Sequence, residues 1–154
     1  MLRNLTLRIE ALWRRLEQVG AQERSILAVM RASSGQNDLR VWSIQERWRL
    51  LYATTVESGV RIRQTNRIGV VLYDCDLPEV DWREGLATLL NCAEPVFAIV
   101  LSHVVDPQLY LAVLDRGGYA VTAKPLNQKS LVPLINGSLQ QENTIDSCRV
   151  FEQV

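Results

Sequence analysis

Five short apolar runs, separated by stretches of helical character, limit this chain to a narrow set of folds. The runs are Ser25–Met30 (SILAVM), Trp48–Tyr52 (WRLLY), Gly69–Tyr73 (GVVLY), Val96–Leu101 (VFAIVL) and Tyr119–Thr122 (YAVT). Each has the length of a strand and is bounded by polar or turn residues. The third is apolar on both faces, as the centre of a parallel sheet requires. A polar loop, Arg31 to Asn37 (RASSGQN), leads into a short helix over Asp38 to Glu46. Thr54 and Glu57 have capping-box spacing and predict a helix reaching Thr65. Another helix is expected over Trp82 to Asn91. Asp106-Pro107 sets an N-cap before a proline at the first helical position, and Gly117-Gly118 ends that helix. Asn127 caps a last helix that runs to Gln141. Strand and helix alternating five times imply a doubly wound α/β sandwich around a parallel sheet.

The first 22 residues follow a different rule. Leu2, Leu5, Ile9, Leu12, Leu16 and Val19 form a heptad stripe, with Arg3, Arg8, Glu10, Arg14, Arg15 and Glu17 on the other faces. Gly20 supplies a stop. The stripe reads either as a helix packed on its own domain or as a short dimerising coiled coil. Three segments result: an amphipathic helix over 1–22, an α/β domain over 23–141 and a tail over 142–154 with no clear period. A chain of 154 residues suits one such domain. Its 17 basic and 17 acidic side chains balance, which argues against direct nucleic-acid or membrane binding through excess positive charge. Three cysteines without CxxC spacing fit reduced thiols, and one histidine rules out a His-rich metal centre. No apolar run nears the roughly 18 residues of a membrane helix. The opening MLRNLTLRIE lacks a secretory core, so a cytoplasmic protein is expected.

In a doubly wound sheet, ligands bind at the carboxyl ends of the strands. Strand one ends in Met30-Arg31, strand three in Asp74-Cys75-Asp76, strand four in Ser102-His103 and strand five in Lys124-Pro125. A carboxylate, a hydroxyl and an ammonium thus converge on one edge. That trio suits acyl-phosphate formation on an aspartate, the lysine and hydroxyl holding the phosphoryl oxygens. No strand-one turn offers GxGxxG or GxxxxGK[ST].

YDCDLP (Tyr73 to Pro78), Ser102 after AIVL, and GGYAVTAKPL (Gly117 to Leu126) resemble the receiver domain of bacterial two-component response regulators. The resemblance spans residues 25 to 140. It implies a flavodoxin-like, CheY-like fold with strand order 2-1-3-4-5. It also implies Asp74 as the phosphoacceptor position, Lys124 as its phosphate partner, Ser102 as the switch hydroxyl and a cis Lys124-Pro125 bond. The output surface it implies lies on helix four, strand five and helix five, where Leu109, Tyr110, Val113, Tyr119, Leu131 and Leu134 stand.

Two departures weaken the phosphorylation switch. Receivers carry two acids at the end of strand one that hold Mg²⁺, and here that place reads Val29-Met30-Arg31-Ala32. No Asp or Glu lies between Arg24 and Asp38. The aromatic switch position three residues before the lysine is Val121. A pseudo-receiver is therefore expected: a non-enzymatic module without cofactor or metal, acting through a protein partner such as a histidine kinase or a downstream signalling protein, and as a homodimer. Arg31 could pair with Asp74 or Asp76 in place of the metal. The competing reading is a working phosphoacceptor on Asp74, with metal ligands drawn from Asp76 or Asp38. A third is an anion cradled by RASSGQN. His103 reads as a rim residue. Cys75, between two aspartates, reads as an unreactive thiol. Trp42 and Trp48 read as covers of the core edges, Trp82 as a cap or a pocket neighbour. The dozen or so residues after the last helix are too few for a helix-turn-helix output.

Overall fold

The computed structural model describes residues 25–152, positions 79 and 93 excepted, and side chains, Ser34 apart, as far as residue 140. The expected helix over 1–22 lies outside the described residues. The elements are β1 (Ser25–Val29), α1 (Ser34–Glu46), β2 (Arg49–Ala53), α2 (Val56–Thr65), β3 (Val70–Asp74), α3 (Trp82–Leu90), β4 (Phe97–Ser102), α4 (Pro107–Asp115), β5 (Ala120–Ala123) and α5 (Gln128–Glu152). The sheet runs β2-β1-β3-β4-β5 with every pairing parallel. This is the doubly wound sheet expected from the alternation of strands and helices, in the flavodoxin-like order that the resemblance implies.

Successive strand residues point to opposite faces, so each strand feeds two cores. Ile26, Ala28, Val70, Leu72, Ile99 and Leu101 pack under Leu39 and Trp42 of α1 and Leu131 and Ile135 of α5. Leu27, Val29, Val71, Tyr73, Ala98 and Val100 pack against Leu86 and Leu89 of α3 and Val113 of α4. Trp42 and Trp48 are buried at the margin of the first core, and Trp48 Nε1 donates to Asn136 Oδ1 at 3.0 Å. Parallel register sets the ends of the central strands level: Asp74 pairs with Leu101, and Ser102 with Ala123.

Local signals decide where most helices begin. Asp106 caps α4 by accepting from Leu109 N at 2.7 Å, with Pro107 following it. The cap of α2 is Thr55, which accepts from Ser58 N at 3.1 Å, and not Thr54. Gly117 adopts φ 89° beyond α4, a conformation that costs glycine little. Two boundaries differ more. Helix α1 starts at Ser34, inside the run read as a loop. Its first turn is fixed from outside, since Tyr52 Oη donates to Gln36 O at 2.8 Å. Helix α5 continues to Glu152 through a segment read as a tail. Once a helix is nucleated, a run without Gly or Pro extends it at low cost whatever its hydrophobic period. No helix among the described residues is long and apolar enough to cross a membrane.

Candidate functional site

The chemistry-bearing residues gather at the carboxyl edge of the sheet, beside a cavity of about 380 Å³. Asp74 is the last residue of β3 and is only 7% exposed. Its Oδ1 accepts from Lys124 Nζ at 2.7 Å and from the Asp76 amide at 3.0 Å. Lys124 follows β5, and its amide donates to Ser102 O at 2.9 Å, which aims its side chain back across β4. The same ammonium reaches Asp76 Oδ2 at 2.8 Å. That oxygen also accepts from the His103 amide at 3.2 Å. One lysine thus bridges two carboxylates from one turn, and the second carboxylate ties down the loop after β4.

The electrostatics follow from these bonds. Burial alone would raise the Asp76 carboxyl, but the hydrogen bonds from Lys124 and the His103 amide, with the charges of both residues, hold it below the usual carboxylate range. Burial alone would lower the Lys124 ammonium. Its bonds to Asp74 and Asp76, and their negative charges, lift it above its ordinary value instead. Burial pushes the Cys75 thiol up, with help from Asp76 and Asp74 and against a Ser102 bond and the Lys124 charge. Cys75 is therefore a poor nucleophile at neutral pH, as expected.

The remaining site residues are placed differently from their sequence reading. Arg31 lines the cavity but is exposed, and it makes no ion pair with Asp74 or Asp76. Lys124 takes the position foreseen for the guanidinium. Met30, just before it, turns inward to the core, and Arg31 is left on the rim. Ser102 is buried at the end of β4, and its hydroxyl is folded onto the next loop: Oγ donates to Val104 O at 2.7 Å and accepts from Val104 N at 3.2 Å. It does not line the cavity. The Lys124-Pro125 bond is cis, and Pro125 forms part of the cavity wall. The RASSGQN run supplies Ser33 and Gly35 to the wall but continues as helix, so no open anion-cradling loop forms. Trp82 stands away from the cavity, with Arg83 and Arg116 over its ring at 4.8 and 5.6 Å. The His103 amide is a site group that the sequence does not reveal, because every residue except proline carries one.

A magnesium ion needs several oxygen ligands with near-octahedral geometry. Here Asp74 Oδ1 and Asp76 Oδ2 are both taken by Lys124. Asp38 of α1 lines the same cavity, yet among the described residues no three Asp, Glu, His or Cys side chains stand together as a metal-holding group. On these oxygens an ion would compete with the Lys124 ammonium.

No protein-family model matches the sequence, and no curated protein sequence matches it. Solved structures do match the fold. The signal receiver domain of a Luxo repressor protein from Vibrio parahaemolyticus has a TM-score of 0.74 at 15% identity, covering 81% of this chain and 96% of that one. A CheY-like response regulator receiver domain from Methanospirillum hungatei gives 0.71 at 19%, covering 79% and 97%. The receiver domain of a sensor histidine kinase from Pseudomonas aeruginosa, which has a magnesium ion coordinated in its active-site cleft, gives 0.66 at 19%, covering 76% and 98%. The chain thus has the CheY-like fold of response regulator receiver domains.

Proposed function

We propose that this chain is a receiver-type module of two-component signalling that works through protein–protein contact, without metal-dependent phosphorylation of Asp74. The observation that carries this reading is the Lys124 bridge. A single ammonium holds Asp74 at 2.7 Å and Asp76 at 2.8 Å, where a divalent ion would have to compete for the same oxygens. Phosphoryl transfer relies on a metal to neutralise charge on the phosphoryl oxygens. With strand one ending in Met30-Arg31, the chain offers no acids there to recruit one. The module is non-enzymatic on this reading and needs no cofactor.

The surface suited to contact differs from the residue set drawn from the resemblance. Val113 and Leu131 are fully buried, and they serve the cores. The exposed apolar side chains around α4 are Val104 (67%), Val105 (48%), Tyr110 (44%), Leu111 (64%) and Leu114 (40%). Tyr110, Leu111 and Leu114 fall on one side of α4, turned from the Leu109–Val113 stripe that faces the sheet. A patch of this kind marks an interaction site, here for a second copy or a signalling partner.

Beryllofluoride, a phosphoryl mimic, tests the reading. With Mg²⁺ present, amide NMR spectra of the full chain should stay unchanged. A saturable change lost in Asp74→Ala would overturn it and establish a working phosphoacceptor.

A further inference from the structure

At the amino edge of the sheet, where β3 and β4 begin, lies a larger cavity of about 550 Å³. The end of α2, the loop into β3 and the loop after α3 line it. Two opposite charges share this cavity without meeting. Arg63 is 8% exposed and directs one terminal nitrogen to Leu89 O and the other to Glu94 O. A guanidinium has five N–H donors, so these two bonds leave three. Glu94 gives only its carbonyl to this clamp. Its exposed side chain forms no ion pair with Arg63 or with any other described residue. The carboxamides of Gln64 and Asn91 line the same cavity and make no hydrogen bond among the described residues.

We propose that this cavity binds a small zwitterion of the α-amino-acid class. The ligand carboxylate takes the remaining N–H groups of Arg63, and the ligand ammonium takes the Glu94 carboxylate. The charges on the wall select this class. A plain anion would face Glu94, and a plain cation would face Arg63 and Arg67, which adds positive charge to the same wall. A molecule with both charges close together satisfies each side. Hydrogen bonds to ionised groups are about twice as strong as neutral ones, so the two ends supply most of the affinity. Gln64 and Asn91 each offer an acceptor and two donors, which suits them to read a polar side chain on the ligand. The volume is that of a small-molecule site and leaves room for such a side chain. The inference goes beyond the proposed function, since it gives the module a chemical input that does not pass through Asp74.

The test is NMR of the full chain, titrated in turn with each of the common amino acids at constant ionic strength. At least one should give saturable shifts at the side-chain amides of Gln64 and Asn91, with a Kd of about 1 mM or lower. The amine and the carboxylic acid that each keep only one charge of that amino acid should bind at least about tenfold more weakly. Glu94→Gln should weaken binding by a similar factor and leave the thermal midpoint unchanged, because Glu94 is exposed and its carbonyl still accepts from Arg63. No saturable shift with any amino acid would overturn the proposal. Equal binding of either singly charged compound would overturn it too, since the site would then read one charge alone. So would undiminished binding by folded Glu94→Gln, since the carboxylate would then hold nothing.

Discussion

At Lys124 the loss of one ammonium would leave two carboxylates facing each other at the end of β3. Asp74 and Lys124 have side chains only 10% and 13% exposed, so the cost is that of breaking a nearly buried pair. Lys124→Met should destabilise the chain by about 3 kcal/mol. Asp74→Asn should cost less, because Asp76 still receives the ammonium. Urea unfolding of the two variants checks the order. The pH dependence has a definite sign. Lys124 has its folded pKa raised, so its stabilisation is fully present below the unfolded value of about 10.4 and is lost as pH rises through the folded one. Tyr73 adds to the same window. Burial, then the charges of Cys75, Asp74 and Asp81, push its phenol up to about 12, so the unfolded chain ionises first. The urea midpoint should therefore fall between pH 10 and 12, and Lys124→Met should flatten only part of that fall. A wild-type midpoint that held steady to pH 12 would contradict both assignments. Asp76 acts at the other end: its lowered carboxyl stabilises above the ordinary carboxylate range and the effect fades as pH falls through its folded value. Exposure of its side chain keeps that contribution small. Asp74, Asp76 and Lys124 were legible because strand ends in a parallel sheet fix where such residues meet. The direction of Arg31 and the rotor of Ser102 were not, since each is decided by which neighbour reaches it first.

Among the elements, α3 meets β3 at one tight point, where the Tyr73 side chain lies against Gly85. A Cβ on Gly85 would lie 2.2 Å from Tyr73 Oη. Gly85→Ala should cost about 2 kcal/mol, as overpacking does. The Tyr73 hydroxyl is buried without a hydrogen-bond partner, so Tyr73→Phe should leave stability unchanged or raise it. Thermal melts of the two single variants and the double variant would show the Gly85→Ala penalty shrinking when the hydroxyl is absent. Additive effects would mean that the contact is not the cause. A second tie is Arg63 of α2, which is 8% exposed and donates to Leu89 O at the end of α3 and to Glu94 O at 2.6 Å. Its cation meets the Leu89 carbonyl, which the helix end leaves unpaired, and a carbonyl of the loop beyond it. Arg63→Lys should fail to replace it, because one ammonium does not reproduce the guanidinium fork. A urea midpoint equal to wild type in that variant would refute the clamp. Periodicity and capping residues made all five strands and their following helices legible. Boundaries slipped where contacts from elsewhere decide them, as at the Tyr52 bond that starts α1.

For the whole molecule, the alternation of strands and helices could yield a parallel sandwich but not its strand order. That order came from the resemblance of YDCDLP and GGYAVTAKPL, and the sheet has it. The outward apolar side chains of α4 were hidden for a different reason. The sequence does not say which of Tyr110, Leu111, Val113 and Leu114 the sheet claims. If this side of α4 joins two copies, Leu111→Glu should shift the sedimentation coefficient toward that of a monomer while leaving the far-UV spectrum unchanged. An unaltered distribution would leave the heptad stripe over 1–22 as the alternative route to assembly. The Tyr73–Gly85 contact carries a further consequence, one for inheritance. The two positions are not free to vary alone. A lineage that gains a side chain at 85 survives most easily if residue 73 has already become smaller, and a lineage that keeps the tyrosine keeps the glycine with it. Two substitutions 12 positions apart in the chain would then be fixed in a set order, written by a single point of contact beneath Asp74.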